Sequence, residues 1–147
     1  MSHGPLEFRA VVEWDGETGG VASLPGSSTE LRVDMPVEFG GGSRYPCPDE
    51  VFLASIGGCL LTTFLYIRRK MGFRLEGLRI EVVGVVDSSG PEGYRVSRVD
   101  AHMHVYVGRG DGGLAERCAE LASEYCHITR TLEEAIPVEV SWTVNER

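Results

Sequence analysis

The stretch that decides the fold is "DEVFLASIGGCLLTTFLYIRRK", residues 49–70. Between its acidic start and its basic end it has seventeen consecutive uncharged residues, and Cys59 lies near their centre. Acids at the start and cations at the end both suit the dipole of a helix. Pro48 stands where a first helical turn tolerates proline, and Gly72 where helices commonly end. The segment therefore predicts a helix over residues 48–71.

A helix of this composition has two interpretations. Seventeen residues at 1.5 Å each make about 25 Å, the lower end of what crosses a bilayer. The rest of the chain has the amphipathic pattern of one soluble domain, and a helix that is apolar on every side is otherwise a buried core helix. We therefore predict a buried central helix and no membrane partner.

Composition narrows the class of protein. The 147 residues, 42% hydrophobic and 24% charged, predict one globular domain over 1–147. A net charge of −8 argues against nucleic acid as a partner. The N-terminal residues lack the basic start and apolar run of a signal peptide, so we expect a cytoplasmic protein with reduced thiols. The four cysteines contain no C-x-x-C pair, which disfavours a metal site.

The remaining elements follow in separate blocks of strands and helices, which predicts an α+β fold. Two helices, the long buried central one and a second one, are expected to pack on an antiparallel β-sheet. In chain order the blocks are N-terminal strands and loop with Gly-rich turns (1–47, strands at 6–14 and 29–33), the central helix (48–71), a hairpin (77–107), a second helical region with Thr129 as an N-cap (112–135) and a closing strand (137–145).

The central helix predicts a homodimer. One sheet covers one side of a helix, whereas a helix that is apolar all round needs cover on the other side too. A second copy of the chain could provide it, and Gly57 and Gly58 would let two helix backbones approach closely.

Two segments resemble a known family. "PCPDEVFLASIGGCLLTTFLYIRRKMGF" (46–73) has a Pro-acid start and a cysteine that follows small residues, and "SEYCHITRTL" (123–132) has a second cysteine between an aromatic residue and a small-polar and leucine pattern. With the element order, the two segments resemble the OsmC/Ohr superfamily of osmotically inducible and organic hydroperoxide resistance proteins. The resemblance covers nearly the whole chain.

The resemblance implies an intertwined homodimer that reduces organic hydroperoxides without a cofactor. Cys59 would be the peroxidatic thiol and Cys126 the resolving thiol, with a sulfenic acid and then a disulfide as intermediates. An external dithiol, a lipoyl-type donor in the family, would reduce that disulfide.

Burial raises a thiol's pKa, whereas attack on a peroxide needs the thiolate. The resemblance implies that an arginine held by a carboxylate solves this problem. Asp49, ten residues before Cys59 and next to Glu50, matches the carboxylate. Ten helical residues span about 15 Å, so Asp49 could reach a Cys59 only from a partner chain. Arg44 is the candidate arginine, and Arg32 is the second choice.

Other chemistry-bearing residues have plainer interpretations. Cys118 lies on the apolar stripe of the second helix and is predicted to be core, and Cys47 is a loop thiol between two prolines. His127 could act on the thiol beside it, but a plain exposed histidine is favoured. His102 and His104 share one face of a strand, and a solvent-facing pair is favoured over a metal pair.

Two alternatives stay open. The first is a non-catalytic OsmC-like stress protein that binds a small apolar or electrophilic ligand. The feature that supports this alternative is that Gly19 and Gly20 stand where some family members have the arginine. The second is a Cys-His hydrolase, which is disfavoured because no histidine has a recognisable nucleophile context.

Overall fold

The computed structural model describes residues 4–147, which form two compact units. Unit 1 ends at Val51, and unit 2 is Phe52–Arg147. The sequence predicted one domain over 1–147, of which residues 1–3 lie outside the described part. The chain divides into two units because the N-terminal strands pair with one another in a separate sheet.

Unit 1 is an antiparallel sheet of β1 (Val11–Trp14), β2 (Gly19–Leu24) and β3 (Thr29–Asp34), followed by a 3₁₀ turn at Val37–Phe39. β1 is shorter than the predicted 6–14, and β2 was not predicted as a strand. Gly19 and Gly20, which suggested a turn, lie in β2, where they allow the neighbouring strands to approach. A side chain at Gly19 or Gly20 would collide with a backbone carbonyl of the neighbouring strand.

The central helix, α1, spans Pro48–Met71, as predicted. It ends at Gly72, whose φ of +80° is accessible to glycine at little cost. At its start, the Glu50 carboxylate accepts a hydrogen bond from the backbone N–H of Cys47 at 3.1 Å, a capping contact.

The sheet of unit 2 has the order β4 (Leu75–Ser88), β5 (Tyr94–Val107) and β6 (Val138–Glu146). β4 and β5 form the predicted antiparallel hairpin, but β6 runs parallel to β5. The prediction of an antiparallel sheet was therefore wrong for its last strand. The helices between β5 and β6 form a crossover, which a parallel pair requires.

Those helices are α2 (Gly112–Tyr125) and α3 (His127–Leu132), and Cys126 joins them. Thr129 is not an N-cap, because it lies inside α3, where its buried hydroxyl donates to the carbonyl of Cys126 at 3.1 Å. Two buried clusters hold unit 2 together, and the one that contains both Cys59 and Cys126 also includes Ile56, Leu60, Val99 and Ala101.

One face of α1 is buried and the opposite face is open. Ile56, Leu60 and Phe64 have no exposed surface, whereas Leu65 and Tyr66 are 39% and 61% exposed. The single chain therefore covers one face of α1, and burial of the other face by a second copy stays a prediction. Within residues 4–147, α1 is the helix long and apolar enough to cross a membrane, a test that core helices of soluble proteins also pass.

The two glycines of α1 lie differently from the sequence-based expectation. A Cβ at Gly57 would lie 3.2 Å from Cγ2 of Val82, so Gly57 lets α1 approach β4 closely. A Cβ at Gly58 would meet no atom within 4 Å. Gly58 alone is therefore open to a second helix, and the homodimer stays a prediction.

Candidate active site

Folding brings together two thiols that are 67 positions apart. Cys59 lies in the middle of α1 and is 7% exposed, whereas Cys126 lies at the α2–α3 junction and is fully buried. Both belong to one buried cluster, and the Cys126 thiol lies close enough to raise the pKa of Cys59. A reversible disulfide pair requires two thiols that are close neighbours.

Three further groups surround the Cys59 sulfur. Thr63, one turn along α1, places its hydroxyl oxygen 4.0 Å from Sγ. The backbone N–H of Ile128 lies near the same sulfur and lowers the pKa of its thiol. Nδ1 of His127 lies 3.7 Å from it. The site is therefore built by the centre of α1 and the first residues of α3.

These surroundings have opposing effects on the Cys59 thiol. Burial is the largest influence and raises its pKa, and the neighbouring Cys126 thiol raises it further. The Ile128 N–H and the Thr63 hydroxyl lower it, because both stabilise the thiolate, but the pKa stays above the usual value. Nucleophilic attack by Cys59 therefore needs a group that takes the thiol proton.

His127 contacts Cys59 because the chain bends sharply just before it. Cys126 has φ −65° and ψ 110°, an extended conformation that ends α2 and starts α3. The sequence favoured a plain exposed histidine. The residue is indeed exposed, but one of its ring nitrogens contacts the sulfur. The only sequence signal for it was its position directly after a cysteine.

Arg44, the predicted activating arginine, is bound to three carboxylates of unit 1. Its Nε donates to Asp34 at 2.8 Å, Nη1 to Glu17 at 2.6 Å and Nη2 to Asp15 at 2.8 Å. The Asp34 side chain has no exposed surface, and the Arg44 guanidinium followed by the Thr18 hydroxyl holds the pKa of its carboxyl well below the usual range. A role of Arg44 at Cys59 stays a prediction.

The other predicted supporting residues lie in unit 1 as well. Asp49 and Glu50 are in the first turn of α1, ten and nine positions before Cys59. Asp49 borders a unit 1 cavity of about 560 Å³ together with the half-buried Cys47. Arg32 lies over the ring of Tyr45, 5.7 Å from its centroid. Their roles toward Cys59 also stay predictions.

Cys118 has the surroundings expected of a core residue. It is fully buried, and its Sγ lies 3.5 Å from the carbonyl oxygen of Phe64. Burial raises the pKa of its thiol to about 12. Cys118 is therefore a packing residue with little nucleophilic character.

The histidine pair lies on the outer face of the unit 2 sheet. His102 hydrogen-bonds through both ring nitrogens, to Ser141 at 2.7 Å and Thr143 at 2.8 Å, and His104 pairs with Glu81 at 3.1 Å. Among residues 4–147, no three or more His, Cys, Asp or Glu side chains are grouped so as to hold a metal ion.

A groove in unit 2 begins at the active site. Thr63, which contacts the Cys59 sulfur, lines it, and its volume is about 500 Å³. Lys70, the only lysine of the chain, lies in the same groove with Nζ 4.6 Å above the ring centre of Tyr66. The full lining is Thr62, Thr63, Tyr66, Ile67, Lys70 and Tyr125. The groove is mainly apolar, with one cation.

Residues 40–141 match the family model of the OsmC-like proteins. This chain belongs to the OsmC-like family. The matched region includes Cys59, Cys126 and His127, so the whole site described above lies within the family's characteristic segment. No curated protein sequence matches this OsmC-like chain.

Solved structures have the same fold. A hypothetical protein from Aquifex aeolicus superposes with a TM-score of 0.79 at 17% identity, covering 97% of this chain and 99% of that one. An OsmC-like protein of unknown function from Vibrio cholerae gives 0.76 at 19%, covering 96% and 100%. An organic hydroperoxide resistance protein from Legionella pneumophila gives 0.71 at 16%, covering 95% and 99%. At these identities the likeness establishes the OsmC-like α+β fold.

Proposed function

We propose that this protein is a cysteine-based peroxidase that reduces organic hydroperoxides. The observation that carries the proposal is the pairing of Cys59 and Cys126 in one buried cluster, where the Cys126 thiol is close enough to raise the pKa of Cys59. Membership of a family that includes organic hydroperoxide resistance proteins supports the same chemistry.

The reaction has three steps. The Cys59 thiolate attacks the terminal oxygen of the hydroperoxide, the O–O bond breaks, and the products are the Cys59 sulfenic acid and an alcohol. The Cys126 thiol then displaces hydroxide from the sulfenic sulfur, so a 59–126 disulfide and water form. An external dithiol reduces that disulfide by exchange and becomes a disulfide itself.

The groove next to Cys59 supports an organic substrate. Tyr66, Ile67 and Tyr125 offer apolar walls, which favour an alkyl or aryl hydroperoxide over hydrogen peroxide. Lys70 offers a positive charge to substrates that carry a carboxylate. The proposed substrate class is therefore an apolar hydroperoxide, with or without an acidic end.

The open face of α1 supports a homodimer. Apolar and aromatic side chains on this face, including Leu65 and Tyr66, stay exposed in one chain, and Gly58 leaves room for a second helix. Light scattering during size-exclusion chromatography tests this: we expect twice the chain mass of 16.1 kDa, and a monomer would contradict it.

The four free cysteines suit a reducing, cytoplasmic setting, in which the protein would serve in oxidative stress defence.

A second candidate function is a non-catalytic OsmC-like protein that binds an apolar or electrophilic ligand. The raised pKa of Cys59 favours it, because a thiol that stays protonated attacks peroxides slowly. The contact between His127 and Cys59 favours the peroxidase, because it offers a route for the thiol proton.

The experiment that separates the two candidates is single-turnover oxidation. The reduced protein is mixed with one equivalent of cumene hydroperoxide, and free thiols are counted with time. The peroxidase loses two thiols per chain and forms cumyl alcohol, whereas a binding protein keeps all four thiols over hours. Addition of a small dithiol should restore the thiols of the peroxidase.

A further inference from the structure

We infer that His127 is a catalytic residue that accepts the proton of the Cys59 thiol and passes it to the departing alkoxide. The inference rests on the proposed peroxidase function, and it assigns the group that makes Cys59 reactive. It gives to an imidazole on α3 the task that an arginine was expected to perform.

The geometry suits proton transfer. Nδ1 of His127 lies 3.7 Å from Sγ of Cys59, within reach of an S–H···N hydrogen bond. The sulfur is 7% exposed, whereas the histidine is exposed, so the imidazole connects a buried thiol to solvent protons. An imidazole exchanges protons near neutral pH, which a guanidinium does not.

Besides His127, the groups close to the Cys59 sulfur are the Cys126 thiol, the Thr63 hydroxyl of α1 and the Ile128 N–H of α3. None of these three brings a positive charge. The imidazolium of His127 would therefore be the cation that contacts the thiolate directly.

On its other side His127 borders a polar groove of α3 and the turn after it. The further lining residues of this groove are Arg130, Thr131, Glu133 and Glu134. Two of these residues are acidic and one is basic. The other groove, which Thr63 of α1 lines, has two further titratable side chains, those of Lys70 and Tyr125. Arg130 is also the cation that could replace His127 in its assigned role, so it must be tested separately.

The proton balance is complete with these groups. Nδ1 takes the thiol proton, and the thiolate donates an electron pair to the terminal peroxide oxygen. The O–O bond breaks, and the leaving alkoxide takes the proton from Nδ1 to become an alcohol. The sulfur is oxidised by two electrons, the peroxide is reduced by two, and the imidazole returns to its neutral form.

The test compares His127→Asn, His127→Ala and Arg130→Gln with the unaltered protein. Asparagine can still offer a hydrogen-bonding oxygen near the position of Nδ1, but it cannot take up a proton. Two rates are measured from pH 5 to 10: alkylation of Cys59 by iodoacetamide, followed by mass spectrometry of its peptide, and single-turnover reduction of cumene hydroperoxide. Circular dichroism checks that each variant is folded.

Both histidine variants should lose about 10²-fold in peroxide reduction at pH 7, the usual effect of removing a general acid–base group. Their alkylation profiles should move to higher pH. Added imidazole should restore part of the rate of His127→Ala, and Arg130→Gln should behave like the unaltered protein. Rescue by imidazole would not be seen if His127 only supported the local fold.

Other results would overturn the inference. Unchanged alkylation profiles in both histidine variants would do so, as would a shift in Arg130→Gln alone. Because alkylation needs no peroxide, the two proposals can fail separately. The protein could be inert to cumene hydroperoxide and still have an alkylation profile that depends on His127. That result would disprove the peroxidase function and the proton transfer to the alkoxide, but it would support proton transfer from the Cys59 thiol to His127.

Discussion

The thiols of Cys59 and Cys126 lie in one buried cluster, although one is in the middle of α1 and the other at the α2–α3 junction. Cys59 is 7% exposed and lies 4.0 Å from Thr63, a lining residue of the groove, whereas Cys126 is fully buried. Under the proposed peroxidase function, this difference suits Cys59 to attack on the substrate and Cys126 to disulfide formation.

Cys59→Ser should end hydroperoxide turnover, because a serine hydroxyl cannot be oxidised to the sulfenic intermediate. The loss is measured as cumene hydroperoxide consumed in the presence of excess dithiol. Cys47→Ser is the matched control, since that half-buried thiol lies in unit 1 and outside both buried clusters of unit 2. Equal activity in the two variants would disprove the role of Cys59.

Cys126→Ser should complete one oxidation and then stall. Without a resolving thiol, the Cys59 sulfenic acid persists and excess peroxide oxidises it to sulfinic acid. Dimedone labelling after one equivalent of peroxide should mark Cys59, and mass spectrometry after excess peroxide should find the sulfinic form. Sustained turnover by this variant would mean that another group resolves the sulfenic acid.

Cys118 should resist alkylation in the folded protein. Its thiol pKa of about 12 leaves a thiolate fraction of about 10⁻⁴ at pH 8, and its sulfur has no exposed surface. Mass mapping after iodoacetamide treatment at pH 8 should find Cys47 and Cys59 modified and Cys118 intact, with full modification of Cys118 only after unfolding. Early labelling of Cys118 would contradict its packing role.

Asp34→Asn should destabilise the protein in a pH-dependent way. The Arg44 guanidinium and the Thr18 hydroxyl lower the pKa of Asp34 in the folded state from its ordinary 3.8. Because the folded pKa is lowered, the stabilisation is complete above the ordinary value and is lost as the pH falls below it.

The midpoint of thermal unfolding, measured by circular dichroism, should therefore be lower for Asp34→Asn than for the unaltered protein at pH 7. The difference should narrow steadily below about pH 4, where the stabilisation from the lowered pKa of Asp34 begins to be lost. Glu30→Gln, an exposed position of the same strand, is the control and should change little. A difference that is constant from pH 7 to pH 2 would refute this account of the Asp34–Arg44 pair.

Lys70→Gln should affect acidic substrates selectively. A lysine at the groove surface contributes about 0.2–1 kcal/mol to an ion pair, so kcat/KM for a hydroperoxide with a carboxylate end should fall by about 1.5- to 5-fold. The value for uncharged cumene hydroperoxide should stay the same. An equal loss for both substrates would mean that Lys70 acts on the groove's shape and not on substrate charge.

Local signals in the sequence predicted most of the fold. The bounds of α1 follow from Pro48, the flanking charges and Gly72, and the long alternating segments identified the β4–β5 hairpin. β2 was missed because Gly19 and Gly20 suggest a turn when their neighbours in space are unknown. The parallel pairing of β6 was missed because strand direction depends on the crossover and not on the strand's own residues.

The site was predictable in part. The two cysteines stood out by their surroundings in the chain and by resemblance to a family. His127 could not be assigned from spacing, because its contact with Cys59 depends on the bend at Cys126 between two helices. Arg44 was the candidate for an arginine held by one carboxylate, which was matched to Asp49. The carboxylates that bind it are instead Asp15, Glu17 and Asp34, and tertiary contacts of that kind leave no local pattern.

The most direct test of the central claim is disulfide mapping after oxidation. The reduced protein is treated with one equivalent of cumene hydroperoxide, remaining thiols are blocked, and peptides are identified without reduction. We expect one intramolecular disulfide between Cys59 and Cys126, with Cys47 and Cys118 blocked as free thiols. Four free thiols, or a disulfide that excludes Cys59, would contradict the account.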